Sequence, residues 1–132
     1  MTKRVTIPFE VTGWEQTAYD EPQDGPPLAR ASVRKVYRGE LAGESTAELL
    51  MCQSADGAAG YVGIERVTGR IGERAGTFVL QHGATRDSAG AANTFGTVVP
   101  GSGTGELRGL RGNIEFRHDE KGASLTFDYA IE

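Results

Sequence analysis

Short β-prone segments separated by glycine recur along this chain, and that pattern restricts the fold more than any other feature. From Leu28 onward the segments follow one another at the roughly 8–12-residue spacing that is typical of all-β proteins. The 132 residues include 19 glycines, which would weaken most helices. No stretch carries a sustained helical repeat of apolar residues. The sequence therefore predicts an all-β protein.

The first segment shows the period-two alternation of a strand with one buried face. Its apolar side comprises Val5, Ile7, Phe9 and Val11. We predict strands at 3–13, 28–40, 45–54, 59–69, 74–85, 92–99, 104–110, 112–119 and 123–131. Gly13 to Pro27 is rich in turn-forming residues and is predicted to be a mobile loop, able to act as a flap. Trp14 opens this loop, where it either covers one mouth of the fold or packs against a neighbouring strand end.

The connections between these strands are of hairpin length, so consecutive strands are expected to be antiparallel neighbours. Eight or nine short strands in 132 residues must hide their edges, either in a closed barrel or in a two-sheet sandwich. Glycines inside strands, such as Gly63, Gly69 and Gly76, suit the sharp bends of a small barrel. We therefore predict one domain over 1–132, a small antiparallel eight- to nine-stranded closed barrel of lipocalin-like character. A barrel of this size is filled by side chains or holds one small ligand.

Charge and cysteine content exclude several classes of function. The chain has 18 acidic and 14 basic side chains, which argues against a nucleic-acid or anionic membrane partner. Arg30, Arg34, Lys35 and Arg38 form the densest basic group, which we interpret as a solvated strand face. Cys52 is the single cysteine, so no intrachain disulfide or cysteine-based zinc cluster can form. With only two histidines, we expect neither a metal nor another cofactor.

The N-terminus lacks an apolar run of signal-peptide length, and no segment approaches the roughly 20 apolar residues of a membrane helix. We therefore expect a soluble, cytoplasmic protein.

Glu65 and His82 lie within adjacent, largely apolar predicted strands. Glu65 shares a strand face with Tyr61 and Val67, and His82 shares one with Leu80. If both faces point inward, the carboxylate and the imidazole can meet at hydrogen-bonding distance and could move a proton on a bound apolar ligand. Alternatively, the pair only ties the sheet together, or Glu65 forms ion pairs on the outside.

Lys35 and Tyr37 follow the same alternation as the apolar residues before them, which makes both candidates for an inward-facing polar cluster. A buried Lys35 would need a carboxylate partner, for which Glu65 and Glu48 are available. The preferred alternative places Val36 inside and lets Lys35 extend outward into solvent.

Several segments together resemble a known family. They are Tyr61-Val-Gly-Ile-Glu-Arg-Val-Thr-Gly, Gly76-Thr-Phe-Val-Leu-Gln-His, Val98-Val-Pro-Gly-Ser-Gly-Thr-Gly-Glu-Leu-Arg-Gly-Leu-Arg-Gly and Arg30-Ala-Ser-Val-Arg-Lys-Val-Tyr-Arg-Gly-Glu-Leu-Ala-Gly-Glu-Ser. The chain is similar through them to uncharacterised bacterial proteins of a domain-of-unknown-function family with an allene-oxide-cyclase-like barrel. The resemblance implies the barrel fold and carries no settled reaction.

We predict the first of three functions and keep the other two as alternatives. The first is binding of a small, largely apolar molecule in the barrel, with Lys35, Tyr37, Tyr61 and Trp14 as candidate ligand-binding residues. The second is a cofactor-free isomerase or cyclase that uses Glu65 and His82 as acid and base, with Tyr37 or Tyr61 positioning the substrate. The third is a structural barrel with a filled interior that acts through an oligomeric interface, for example as a homodimer.

Overall fold

The computed structural model describes residues 2–132, and these residues form eight antiparallel strands closed into one barrel. The strands are β1 (Lys3–Asp20), β2 (Leu28–Arg38), β3 (Leu41–Gln53), β4 (Ala59–Ile71), β5 (Arg74–Arg86), β6 (Ala92–Val98), β7 (Leu110–Asp119) and β8 (Gly122–Ile131). Their order around the barrel follows the chain, and β8 closes the ring on β1. The predicted all-β closed barrel is therefore confirmed, with eight strands.

The tight hairpins depend on glycine where the backbone must enter the left-handed region. Only residues 72–73 connect β4 to β5, and Gly72 has a φ of 59° there. A side chain is disfavoured at that angle, so glycine allows the two-residue turn. The register from β2 to β5 then runs without a shift, which keeps alternate residues of these strands pointing to the interior.

The barrel interior has two halves of different character. The half that contains the connections at 39–40, 72–73 and 99–109 is filled by aliphatic and aromatic side chains, and we call it the packed half. Its core comprises Ile7, Phe9, Tyr37, Leu41, Val67, Ile71, Phe78, Leu80, Val98, Leu107, Leu110, Ile114, Leu125, Phe127 and Tyr129. The opposite half, which we call the open half, has only a small core of Ala31, Val33, Ala47 and Leu49, against which Met51 and Tyr61 pack.

The predicted strand at 104–110 is wrong. This segment contains a single-turn 3₁₀ helix, Gly105–Leu107, between β6 and β7. Gly105 and Gly109 have φ angles of 60° and 81°, which take the chain out of the extended conformation at both sides of the turn. Leu107 is fully buried and helps to close the packed half.

The predicted loop at 13–27 is also largely wrong, because β1 continues to Asp20. The strand pairs with β8 through Lys3–Phe9 and with β2 from Phe9 onward, so its second half has β2 as its only strand neighbour. A register shift between Val11 and Gly13 marks a β-bulge at Thr12. Only residues 21–27 remain as the connection.

The weakest junction of the ring lies between β6 and β7, which share a single bridge, Thr97 with Asn113. The Thr97 hydroxyl adds a hydrogen bond to the Gly112 carbonyl at 3.0 Å. Towards the open half the two strands separate, and this gap is lined by residues of one of the cavities described below. Within residues 2–132 no helix combines the length and the apolar character that a membrane crossing requires.

Candidate functional site

A buried carboxylate separates the packed half from the open half. Glu65 on β4 has no solvent exposure, and four side chains donate hydrogen bonds to it. Lys35 Nζ and His82 Nε2 contact Oε1 at 3.0 and 2.9 Å, and Tyr37 Oη and Ser45 Oγ contact Oε2 at 2.5 and 2.6 Å. Every acceptor position of the carboxylate is therefore in use, and the donors come from β2, β3 and β5.

These donors decide the charge of Glu65. Burial alone would raise the pKa of this carboxyl, because desolvation penalises the ionised form. The hydrogen bond from His82, the charge of Lys35 and the hydroxyls of Ser45 and Tyr37 outweigh burial and lower the pKa of Glu65 to about 2. Glu65 is consequently ionised at neutral pH and is a weak proton acceptor.

Lys35 points into the barrel, which corrects the preferred prediction that it extends into solvent with Val36 inside. It is 8% exposed, whereas Arg30, Arg34 and Arg38 of the same strand point outward. Its ammonium lies 4.1 Å from the ring centre of Phe116 and 5.0 Å from that of Phe9. The ion pair with Glu65 and the two aromatic faces together replace the water that a buried ammonium loses.

His82 connects the buried carboxylate to Tyr61. Its Nε2 faces Glu65, and its Nδ1 lies 2.8 Å from Tyr61 Oη. The register partner of His82 on β4 is Gly63, where a Cβ would lie 2.4 Å from Leu49 Cδ2. The missing side chain thus lets Leu49 and the imidazole pack side by side. Burial and the charge of Glu65 raise the pKa of Tyr61 to about 12, so its phenol keeps its proton.

The open half contains a cavity of about 220 Å³ immediately above this cluster. Its walls are mainly apolar and aromatic, and polar groups come from Lys35, Tyr61, His82 and His118. The lining residues are Phe9, Val11, Trp14, Val33, Lys35, Ala47, Leu49, Met51, Tyr61, His82, Phe116 and His118. A second cavity, of about 410 Å³, lies towards the gap between β6 and β7 and shares Met51, Tyr61, Phe116 and His118 with the first. The interior is therefore filled in the packed half only.

Trp14 reaches the smaller cavity because of the β-bulge in β1. Val11 pairs with Lys35 and Trp14 pairs with Val33, although Trp14 lies three positions after Val11 and Val33 only two positions before Lys35. The extra residue, Thr12, shifts the alternation by one, so Val11 and Trp14 both lie on the inward side. The indole is about half exposed, and its Nε1 donates to Gln16 Oε1 at 3.0 Å. Trp14 thus forms part of the cavity wall at the solvent boundary.

The structure brings all the proposed site residues into one region but gives them unequal access. Lys35, Tyr61, His82 and Trp14 line the smaller cavity. Glu65 and Tyr37 line neither of the two cavities, since both are buried beneath the smaller one. Burial, followed by the charge of Glu65, raises the pKa of Tyr37 well above its usual range.

Three contributors to this region were not identified from the sequence. Ser45 lies on the inward face of β3, in the same alternation as Leu41 and Ala47, and this spacing is the signal that could have identified it. Phe9 and Phe116 were recognised only as apolar strand residues, because their contact with the Lys35 ammonium joins strands that are far apart in the sequence.

Among residues 2–132, no group of three or more His, Cys, Asp or Glu side chains is arranged to hold a metal ion. The side chains of the site themselves offer a neutralised ion pair at the base, an imidazole and a phenol above it, and aromatic walls.

Comparison with other proteins relates the chain to one family. The family model described as "Protein of unknown function (DUF3224)" matches residues 5–129. A crystal structure of a protein with unknown function from the same family, from Shewanella oneidensis MR-1, is 34% identical to this chain. The likeness covers 100% of this chain and 99% of that one, with a TM-score of 0.90. The comparison with curated proteins found no match. This chain belongs to the DUF3224 family.

Proposed function

We propose that the protein binds a small, largely apolar molecule in the open half of the barrel. The observation that carries this proposal is the cavity of about 220 Å³, with aromatic and aliphatic walls and a few polar groups at its base. Ligand sites generally combine apolar walls with a small number of fixed polar groups. The volume lies below the roughly 300–1,000 Å³ of drug-sized sites, so the ligand is expected to be small.

The rigidity of the cavity base supports binding. Glu65 fixes Lys35 and His82 by direct hydrogen bonds, and His82 in turn contacts Tyr61. Among the described residues, no buried side-chain nitrogen or oxygen lacks a hydrogen-bond partner. A base of this kind is ordered before a ligand arrives, which reduces the entropy lost on binding.

The proposal is tested first by native mass spectrometry of protein purified from its own host, which should reveal a copurified small molecule. The second test is a titration with para-xylene, followed through the indole N–H signal of Trp14 in a ¹H–¹⁵N NMR spectrum. Trp14 is the only tryptophan in the chain and lines the cavity, so its signal should shift in a saturable manner.

A matched pair of variants distinguishes the cavity from the outer surface. Met51→Phe enlarges a side chain that lines both cavities and should weaken para-xylene binding about tenfold, or roughly 1.4 kcal/mol. Leu50→Phe enlarges the neighbouring side chain, which is exposed on the outside, and should leave the affinity unchanged. Absence of a copurified molecule together with absence of saturable para-xylene binding would contradict the proposal.

A second candidate function is a cofactor-free isomerase or cyclase. The continuous chain of contacts from Glu65 through His82 to Tyr61 favours it, because a carboxylate that orients an imidazole is a common acid-base arrangement. In this scheme Glu65 is a positioning residue, while His82 and Tyr61 face the substrate. Glu65→Gln and His82→Ala should then abolish turnover of the copurified molecule but retain its binding. Unchanged turnover in both variants would exclude the scheme.

A further inference from the structure

The hydrogen-bond directions in the polar cluster determine which polar atom the cavity offers to a ligand. Glu65 is ionised, so its oxygens can only accept hydrogen bonds. His82 Nε2 must therefore carry the proton that it donates to Oε1, 2.9 Å away. The donor at this end of the imidazole is thus fixed by the carboxylate.

Charge balance determines whether Nδ1, the other nitrogen of the His82 ring, also carries a proton. The buried cluster already contains one carboxylate and one ammonium, Glu65 and Lys35, which neutralise each other. A second buried cation would leave the cluster with an uncompensated positive charge, which is costly in a low-dielectric interior. His82 is therefore the neutral tautomer with its proton on Nε2, and Nδ1 accepts the hydrogen bond from Tyr61 Oη at 2.8 Å.

Tyr61 is consequently left with acceptor capacity only. Its single proton is directed to His82, and among the described residues its hydroxyl has no other hydrogen bond. The lone pairs of Oη remain free, and Tyr61 lines both cavities. The hydroxyl is therefore available to accept a hydrogen bond from a ligand.

Lys35 lines the cavity, but its positive charge is already paired. Its ammonium pairs with Glu65 at 3.0 Å and otherwise faces the rings of Phe116 and Phe9. His118, the other polar lining residue, is exposed at the end of β7, at the solvent side of the cavity. The deep part of the cavity thus presents one free acceptor and no free charge.

The size and walls of the cavity indicate the rest of the ligand. Engineered apolar cavities of about 150 Å³ bind benzene, so about 220 Å³ has room for one aromatic ring with small substituents. Phe9, Phe116, Tyr61 and Trp14 supply aromatic walls that suit a flat ring.

We propose that the ligand of this site is a small aromatic molecule that carries a hydrogen-bond donor, of the phenol or aromatic amine class, and that Tyr61 Oη accepts this hydrogen bond. The inference rests on the binding function proposed above and specifies its ligand class. It predicts that the site distinguishes donors from acceptors and anions of the same shape.

The test titrates wild-type protein and Tyr61→Phe with four probes, para-cresol, para-xylene, para-methylanisole and para-toluate, again through the Trp14 indole signal. In Tyr61→Phe the affinity of para-cresol relative to para-xylene should fall about three- to tenfold, the usual value of one hydrogen bond. In wild-type protein para-cresol should bind more tightly than para-methylanisole, whose oxygen has no proton to donate. Tyr19→Phe alters an exposed tyrosine that lines neither cavity, so the relative affinity should stay at the wild-type value.

The outcomes separate this inference from the proposed function. If para-xylene binds but the para-cresol to para-xylene ratio is the same in wild type and Tyr61→Phe, the ligand class is wrong and the binding function stands. Tighter binding of para-methylanisole or of para-toluate than of para-cresol overturns the ligand class too, because the site would then select an acceptor or an anion. If none of the four probes binds to wild-type protein, the ligand class is wrong, and if no molecule copurifies either, the binding function itself fails. Should Tyr61→Phe not fold, the order of affinities in wild-type protein decides.

Discussion

At the scale of single residues, Glu65 positions the side chains of the site but does not itself line the cavity. Its two oxygens hold Lys35, Tyr37, Ser45 and His82 in fixed positions, and these side chains come from three different strands. Removing the carboxylate would leave several buried donors without acceptors, at a cost of about 1–3 kcal/mol for each neutral group. Glu65 therefore couples the stability of the barrel to the geometry of the proposed binding site.

The ionisation of Glu65 predicts how stability depends on pH. Its pKa falls from an ordinary value of 4.5 to about 2 on folding, so ionised Glu65 stabilises the folded state above pH 4.5. This contribution, on the order of 3 kcal/mol, should be lost as the pH decreases from about 4.5 towards 2. Urea unfolding across this range should show a loss of stability that Glu65→Gln removes. The Glu65 carboxyl ¹³C signal should likewise show an ionised group down to about pH 2.

Glu48→Gln provides the control for this prediction. Hydrogen bonds from Ser32 and Arg30 also lower the pKa of Glu48, but its carboxylate is exposed on the outside of the barrel. Its replacement should leave the pH dependence close to that of the wild type, since solvent screens exposed pairs. A Glu65 signal that titrates at pH 4.5 or above would refute the assignment of a strongly stabilised carboxylate.

The sequence contained enough information to bring Glu65 and His82 together but not to orient Lys35. Alternation along β4 and β5 relates the first two residues directly, because the strands are consecutive and their register has no shift. For Lys35, the alternation along the strand indicated an inward side chain, whereas its charge indicated an outward one. A solvent-facing lysine is the usual arrangement, and we preferred it. The contacts that reverse this preference come from Glu65, Phe9 and Phe116, which lie on other strands.

At the scale of strands, a row of glycines allows the sheet to bend sharply. Gly43, Gly69 and Gly76 are register partners across β3, β4 and β5. A Cβ on Gly69 would lie 2.2 Å from the Ala42 carbonyl oxygen, and one on Gly76 would lie 2.0 Å from that of Thr104. The backbones approach too closely at this row for any side chain, as expected where a small barrel curves.

Gly69→Ala should therefore destabilise the protein. The clash is with backbone atoms, which cannot rotate away, and such overpacking costs about 1–3 kcal/mol or more. Gly60→Ala is the control on the same strand, because its Cβ would meet its nearest neighbour, Thr85, at an ordinary 3.5 Å. Urea denaturation should show a clear loss for Gly69→Ala and little change for Gly60→Ala. Equal stability of the two variants would refute the close approach.

The two incorrect element predictions have the same origin. Residues 14–20 are largely exposed on both faces of β1, so no apolar alternation marks them as a strand, and pairing with β2 alone keeps them extended. In the 104–110 segment, the positive φ angles of Gly105 and Gly109 interrupt the predicted strand, and a contact with β5 anchors the turn, where the Thr77 amide donates to Thr104 Oγ1 at 3.0 Å. Both outcomes depend on interactions with distant parts of the chain, whereas alternation reports only local patterns.

At the scale of the whole molecule, the barrel is closed unevenly. β2, β3 and β4 pair with both neighbours along nearly their whole length, whereas β6 and β7 share one bridge. We call the junction between β6 and β7 the seam. The larger cavity lies where these two strands separate, and Phe95 and Phe116 are among the residues that line this cavity. The seam is therefore both the part of the wall with the fewest backbone hydrogen bonds and the part next to the proposed ligand site.

This uneven closure predicts how local stability is distributed. In β6, backbone N–H groups of residues 92–96 that point away from β5 have no strand partner, since the β6 ladder to β7 is limited to Thr97. Native-state hydrogen exchange should give these amides opening free energies near zero, while amides of residues 61–67 in β4 should approach the global unfolding free energy. Para-xylene at about a hundredfold excess over its Kd should raise the global value by roughly 2.7 kcal/mol and leave the free β6 amides unprotected. Equal protection of β4 and β6 in the unliganded protein would mean that the seam is closed in solution, and access to the larger cavity would then require a different opening.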